Sequence, residues 1–117
     1  MSSAHHAQLD TKLLALAAMH CRAGAPRLGT DELAAHAAVL PGWTSGGGAL
    51  AKSFAFANYH ETLAFVNALA WIAHREDHHP DIAFSYDRAT LRFNTHSVGG
   101  ISVNDFICAA KVEALLA

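Results

Sequence analysis

The sequence predicts a small α+β protein with an antiparallel sheet, and three observations carry that prediction. The 117 residues are 52% hydrophobic and only 15% charged, which is enough apolar chain for one folded domain with its own core. Apolar residues recur at helical spacing in some segments and alternate with a period of two in others. The elements follow the order α-α-β-β-α-β-β-α, and adjacent strand pairs separated by helices favour a four-stranded antiparallel sheet.

Two helices are expected before any strand. Apolar residues at helical spacing predict the first helix over 9–20, and a linker with two glycines and a proline follows it. Thr30 is a suitable N-cap for the second helix because its hydroxyl can accept a hydrogen bond from an amide of the first turn. That helix should end before Pro41, which lacks an amide hydrogen.

A glycine-rich turn and a long helix occupy the middle of the chain. The three glycines at 46–48 allow positive φ, and bulky residues then alternate with small ones. This pattern predicts a strand pair around the turn, within 43–58. Apolar stripes predict a long helix over 59–77, and Pro80 forbids its continuation.

The last part of the chain predicts a hairpin and a final helix. The segments 81–88 and 89–96 each alternate bulky and polar residues, and the join between them is short. A double glycine then interrupts the chain. Ser102 with Asp105 fits a capping box at the start of the last helix, with aspartate in place of the usual glutamate.

Composition and charge argue against several classes of function. The net charge is −2 and the eight lysines and arginines are scattered, so no basic patch for nucleic acid is expected. No apolar run approaches the ~20 residues that span a membrane, and we see no secretory signal. Cys21 and Cys108 form no CxxC motif, so we expect reduced thiols in a cytoplasmic protein.

Nine histidines are the unusual feature of the composition, and three of them lie within the stretch HREDHHPD at 74–81. The predicted long helix ends there, Pro80 forces an extended backbone at His79, and His96 ends the last predicted strand. Histidine titrates near neutral pH, so such a cluster can supply both a proton donor and a proton acceptor.

The residues alone leave three interpretations of this cluster open. The histidines are solvated side chains at a helix C-terminus, where the helix dipole favours positive charge. Alternatively, His74 and His78 bind zinc together with His79 or Asp77. The third interpretation is acid–base catalysis on an organic substrate without a metal.

The pattern around the cluster resembles the pterin-4a-carbinolamine dehydratase family. HREDHHPD, then Tyr86, then NTH ending at His96, and finally Asp105 follow the signature of that family in order and without gaps. The segments FAF, AFVN and DFICAAKVEAL extend the likeness. It covers 27–117, which we take as the dehydratase-like domain, and leaves 1–26 as an N-terminal helical extension.

The resemblance implies a fold, a reaction and partners. The family has a four-stranded antiparallel sheet with helices packed on one face, to which the extension would add an extra helix. Its members are homodimers or homotetramers that remove water from a 4a-hydroxytetrahydropterin to give the quinonoid dihydropterin. This recycles the pterin cofactor of aromatic amino acid hydroxylases, so phenylalanine hydroxylase is an expected pathway partner. The reaction itself requires no metal or redox cofactor.

The resemblance also implies roles for six residues of the cluster. His78 and His96 would act as general acids on the 4a-hydroxyl, while His79 would mainly hold the pterin. His74 stands where the family often has glutamate, so a titratable ring would replace an acceptor. The expected catalytic residues are His78, His79 and His96, and the expected substrate-binding residues are His74, Asp77 and Asp81.

An alternative of another class is a non-catalytic interaction or assembly module on the same fold. Some members of the family serve as a cofactor of a transcription factor, and related proteins assist rubisco assembly. Scaffolding alone gives no reason for an intact His-His-Pro element with a distal histidine, so the enzyme remains the first expectation.

Overall fold

The computed structural model of the protein describes residues 10–117, within which four α-helices and three β-strands follow the order ααβαββα. Short 3-10 turns at Gly46–Gly48 and His96–Val98 flank the first and last strands. The helices are α1 (Thr11–Ala17), α2 (Thr30–Ala37), α3 (Tyr59–Glu76) and α4 (Val103–Leu116), and the strands are β1 (Leu50–Ala55), β2 (Asp81–Phe84) and β3 (Arg88–Phe93).

The described residues form a sheet of three antiparallel strands, and the expectation of four strands is wrong. The central strand β3 pairs with β1 on one side and with β2 on the other. The strand expected before the glycines is reduced to a single bridge between Thr44 and Ala51. Only 43–45 lie between the Pro41-Gly42 turn and the glycines, which is too little chain for a paired strand.

The alternation of β3 places the hydrophobic core on one face of the sheet. Ala89, Leu91 and Phe93 are fully or almost fully buried, whereas Arg88 and Arg92 are exposed on the opposite face. The core side of the sheet packs against the helices, which contribute further large buried side chains. These include Phe65 and Leu69 from α3, Phe106, Ile107 and Val112 from α4, and Leu13 and Leu16 from α1.

A buried carboxylate links β1 to α4 through polar contacts. Glu113 in α4 accepts hydrogen bonds from the Trp43 indole at 3.0 Å and from the Lys52 ammonium at 2.8 Å. The Glu113 side chain is only 3% exposed, so these charged contacts compensate a carboxylate that would otherwise be costly to bury. The first helix is held separately, because Lys111 donates to the carbonyl of Ala17 at 2.7 Å.

None of the helices within 10–117 combines the length and the apolar character that a transmembrane span requires. The predicted helix over 9–20 corresponds to α1, although residue 9 lies outside the described range. The boundary between 1–26 and 27–117 stays a prediction.

Candidate active site

The C-terminus of α3 fixes the backbone of His78. Asp77 adopts the left-handed conformation, with φ 51° and ψ 44°, and ends the helix. The amide of His78 donates to the carbonyl of Ala73 at 3.1 Å, and the amide of Asp77 donates to that of His74 at 3.3 Å. These two bonds form a Schellman motif, which turns the chain away from the helix axis immediately before Pro80. Aspartate is one of the few residue types that tolerate this conformation in place of glycine.

The imidazole of His78 is held by a buried carboxylate. Its Nε2 lies 2.5 Å from Oδ1 of Asp105, and the ring stacks almost parallel to Phe93 with centroids 6.2 Å apart. The His78 side chain is 13% exposed, whereas that of Asp105 is completely buried. Ring stacking and a charge-assisted hydrogen bond therefore hold the imidazole in one orientation, while a small part of it stays exposed.

The second oxygen of Asp105 accepts two further hydrogen bonds. Thr95 Oγ1 donates to Oδ2 at 2.8 Å, and the backbone amide of Ser102 donates at 2.9 Å. The Ser102 hydroxyl lies 2.7 Å from Thr95 Oγ1, so it donates to Thr95 and the two hydroxyls act in series. Asp105 is thus the capping residue predicted from the sequence and also the partner of His78, a second role that local spacing does not reveal.

The hydrogen bond to Asp105 determines which nitrogen of His78 can act on a ligand. A carboxylate with its proton removed can only accept, so Nε2 of His78 carries a hydrogen. Nδ1 is then the ring nitrogen that is left to give or take a proton. A buried carboxylate that orients a histidine in this way is a common arrangement in acid–base sites.

His78 lines a pocket of about 320 Å³ between the end of α3, the start of α4 and a segment that the sequence did not assign to the site. This connector segment, residues 19–25, links α1 towards α2 and supplies one wall. Most of the other lining residues are polar. The lining residues are Cys21, Arg22, Ala23, Gly24, Ala25, Glu76, Asp77, His78, Thr95, Ser97 and Asn104.

Two polar side chains fasten the connector segment to the helices. Asn104 Oδ1 accepts from the amide of Arg22 at 3.1 Å, and its Nδ2 donates to the carbonyl of Arg22 at 2.8 Å. Glu76 accepts from the amide of Cys21 at 2.7 Å and lies 2.9 Å from Nδ1 of His20. The pocket wall is therefore an ordered part of the fold, although its sequence has no regular periodicity.

The environment of Glu76 favours its charged form. Burial acts to raise the pKa of this carboxyl, but the hydrogen bonds from Cys21 and His20 and the charge of Lys111 outweigh it. The pKa of Glu76 consequently lies below its ordinary value of 4.5. A charged Glu76 holds the connector segment, so acid should release that segment.

The six residues expected in the site do not all reach this pocket. His78 and Asp77 line it. His96 is exposed in the 3-10 turn, between the lining residues Thr95 and Ser97. The remaining three are exposed and outside the lining: His74 stacks on Trp71 with centroids 5.3 Å apart, His79 precedes Pro80, and Asp81 begins β2 opposite Arg92.

The zinc alternative finds no ligand set in the described part of the chain. Within 10–117, no three side chains of histidine, cysteine, aspartate or glutamate lie close enough together to hold a metal ion. His78 in particular directs Nε2 to Asp105, which is itself bonded to Thr95 and Ser102.

Comparison with known proteins places the chain in a family. A sequence profile of the family described as pterin 4 alpha carbinolamine dehydratase matches residues 26–115. A Stenotrophomonas maltophilia protein named "Putative pterin-4-alpha-carbinolamine dehydratase" is 56% identical over 111 residues, covering 88% of this chain and 93% of that protein. A protein of the same name from Xanthomonas campestris pv. campestris is 54% identical over 110 residues, covering 90% and 93%. The chain belongs to the pterin-4a-carbinolamine dehydratase family, and the resemblance inferred from HREDHHPD is confirmed.

Two solved structures share the fold. The crystal structure of a transcriptional coactivator/pterin dehydratase from Brucella melitensis has a TM-score of 0.74 at 30% identity, covering 78% of this chain and 99% of that chain. A pterin dehydratase-like protein identified as a RuBisCO assembly factor in the alpha-carboxysome has a TM-score of 0.57 at 29% identity, with coverage of 64% and 89%. The fold therefore occurs in proteins described by more than one kind of function.

Replacing Asp105 with asparagine should destabilise the protein by about 1–3 kcal/mol. The carboxylate oxygens now accept hydrogen bonds from three donors, and the amide nitrogen of asparagine, itself a donor, could not accept from the donor that it faced. Urea denaturation at neutral pH measures the change. The exposed Asp31→Asn variant is the control and should stay within about 0.5 kcal/mol of the wild type. Equal stability of the Asp105 and Asp31 variants would contradict the assigned hydrogen bonds.

Glu76→Gln should weaken the dependence of stability on acid pH. Since the pKa of Glu76 is lower in the folded chain than in the unfolded one, its contribution is complete above about 4.5 and is lost as pH falls through the folded-state pKa. Urea denaturation of both proteins from neutral pH to about pH 3 measures the difference. The curves should converge at the acid end, and the exposed Glu32→Gln variant should follow the wild type. Parallel curves for Glu76→Gln and wild type would refute this role.

Proposed function

We propose that this protein removes water from a 4a-hydroxytetrahydropterin by histidine acid–base catalysis, giving the quinonoid dihydropterin. The observation that supports this proposal most strongly is the position of His78, which the buried Asp105 orients at the wall of a pocket of about 320 Å³. Membership of the family supports the class of substrate, and the relatives from Stenotrophomonas and Xanthomonas carry the corresponding name.

The reaction breaks the bond between C4a and its hydroxyl oxygen and removes the proton on N5. The leaving oxygen must receive a proton to depart as water, and the electron pair of N5 then forms the double bond to C4a. Nδ1 of His78 is the proposed proton donor, because Nε2 is committed to Asp105. The negative charge of Asp105 stabilises the protonated imidazole before transfer and keeps the ring in one orientation afterwards.

His96 is the proposed second proton carrier. It is exposed in the 3-10 turn, and its neighbours Thr95 and Ser97 both line the pocket. Thr95 also bonds to Asp105, so the position of the turn is coupled to the group that orients His78. This placement supports a pair of histidines that together protonate the hydroxyl and accept the proton from N5.

The pterin would extend from the pocket along the surface beyond α3. Asp77 lines the pocket, and the exposed residues His79 and Asp81 stand immediately before and after Pro80 in the chain. In this proposal His79 holds the ring, while Asp77 and Asp81 accept hydrogen bonds from its amide-like edge. His74, exposed beside Trp71, would contact the far end of the ligand.

The setting of the reaction is proposed on the same basis. An aromatic amino acid hydroxylase such as phenylalanine hydroxylase would supply the hydroxylated pterin. Two free cysteines within the described residues fit a reducing, cytoplasmic compartment. The proposed dehydration transfers only protons and water, so it calls for no metal or redox cofactor.

The second candidate is a protein-interaction or assembly module. The structural likeness to a RuBisCO assembly factor favours it, and so do exposed aromatic side chains. Trp71 is 61% exposed and Tyr86 is 63% exposed, and aromatic side chains of this kind are enriched at protein interfaces. An oriented histidine in a pocket is not explained by this candidate.

The decisive measurement is the ultraviolet absorbance decay of an enzymatically generated 4a-hydroxytetrahydropterin with and without the protein. We expect acceleration by the wild type, a loss of about 10²- to 10⁴-fold for His78→Ala, and no remaining catalysis for His78→Ala/His96→Ala. His60→Ala, exposed in the first turn of α3, is the matched control and should retain the wild-type rate. No acceleration by the wild type, combined with no binding of a dihydropterin, would instead favour the interaction module.

We also propose that the chain forms a homodimer or homotetramer. The sheet face opposite the core carries Ala83, Thr90 and other side chains that no helix of the described chain covers, and the edge strand β2 has an unpaired side. Sedimentation equilibrium should give two or four times 12.4 kDa. A monomer at micromolar concentration would contradict this expectation.

A further inference from the structure

Two free thiols lie side by side behind the pocket wall. Cys21 is half-buried in the connector segment and lines the pocket, whereas Cys108 is completely buried in α4. Their Sγ atoms are 3.5 Å apart, although the residues are 87 positions apart in the sequence. The contact therefore joins the connector segment to the core.

The hydrogen bonds around the two sulfurs give them different chemical roles. Sγ of Cys21 lies 3.5 Å from the backbone carbonyl of Asn104, to which its thiol donates. The thiol of Cys108 is then the donor in the contact with Cys21. This hydrogen bond, and next burial, raise the pKa of Cys108 far above its ordinary range. Cys108 stays protonated, and Cys21 is the thiol that a small molecule in the pocket meets first.

We propose that Cys21 and Cys108 form a modification site, at which a hydroperoxide generates an intramolecular disulfide that fastens the connector segment to α4. A hydroperoxide is small enough for this site, because the pocket admits a small solute to Cys21 while Cys108 is completely buried.

The electrons and atoms balance in two steps. The Cys21 thiol loses its proton and its sulfur attacks the terminal oxygen of the hydroperoxide. The O–O bond cleaves, Cys21 becomes a sulfenic acid, and the departing oxygen takes up the proton to leave as an alcohol or water. The Cys108 sulfur then attacks the Cys21 sulfur, loses its proton and displaces the hydroxyl as water. The two thiols lose two electrons in total. The hydroperoxide is the oxidant that accepts them and is reduced to an alcohol or water.

The fold allows the sulfurs to meet. A disulfide requires an S–S separation of about 2.05 Å, so the two atoms must approach by roughly 1.5 Å. Cys21 belongs to an irregular segment rather than a helix, so a change of its side-chain rotamer with small local adjustments supplies this approach while Cys108 stays in α4. The bonds of Arg22 to Asn104 and of Cys21 to Glu76 keep the first sulfur beside the second, which raises its effective concentration.

The test treats the folded 117-residue chain with one equivalent of hydrogen peroxide and measures intact mass and free thiols after denaturation. We expect a mass decrease of about 2 Da, loss of both thiols, and full reversal by dithiothreitol. Tryptic digestion should yield the peptides 13–22 and 93–111 as one linked species. A Cys108→Ala variant should instead gain one oxygen on Cys21, and a Cys21→Ser variant should keep the Cys108 thiol.

Two results would overturn the proposal. One is accumulation of Cys21 sulfenic or sulfinic acid, or of disulfide-linked dimers, while Cys108 of the wild type remains a free thiol. The other is unchanged hydrogen exchange of the connector segment after oxidation, since a covalent tether should slow exchange of its amides at least about tenfold. Neither readout depends on the proposed dehydratase activity.

Discussion

The buried carboxylate of Asp105 is the charge around which three separate parts of the chain are arranged. It meets His78 after α3, Thr95 after β3 and the amide of Ser102 at the start of α4. Removing any one donor would leave an imperfectly compensated charge in the interior, at a cost of about 1–3 kcal/mol. The same interaction therefore holds the ends of α3 and β3 against the start of α4 and sets the orientation of the imidazole at the pocket. Stability and chemistry are coupled there, because the group that orients the histidine also caps the helix.

A second polar contact set completes the pocket. Asn104 and Glu76 bind the connector segment through its backbone, so the wall does not depend on the identity of most side chains in it. Hydrogen bonds to backbone groups tolerate sequence change better than side-chain packing does. These contacts use only the backbone of Arg22, an exposed residue that lines the pocket. The side chains that hold the wall in place therefore belong to α3 and α4, and most side chains of the connector segment can change without loss of these hydrogen bonds.

The sequence correctly predicted those elements that depend on patterns among neighbouring residues. The long helix that ends near Pro80, the hairpin of β2 and β3, and the cap formed by Ser102 all follow from periodicity or capping chemistry between near neighbours. The prediction of a strand before the glycines was wrong, because the glycine-rich turn was taken as evidence for a strand on each side of the turn. The pocket wall at 19–25 and the pairing of His78 with Asp105 join residues far apart in sequence, which no local pattern contains. The signature of the family holds both His78 and Asp105, so their shared presence was the one available hint of contact.

The position of β3 has a consequence for how the chain folds. Its hairpin with β2 closes over the few residues between Phe84 and Arg88, whereas its pairing with β1 joins Leu50 to Phe93 across the whole of α3. Short loops close at lower entropic cost and therefore earlier, so the hairpin should form before β1 docks. The helix α3 lies inside the loop that the second step must close. The rate of folding is thus expected to depend on how readily α3 forms by itself, with its Asn58 cap at one end and Asp77 at the other.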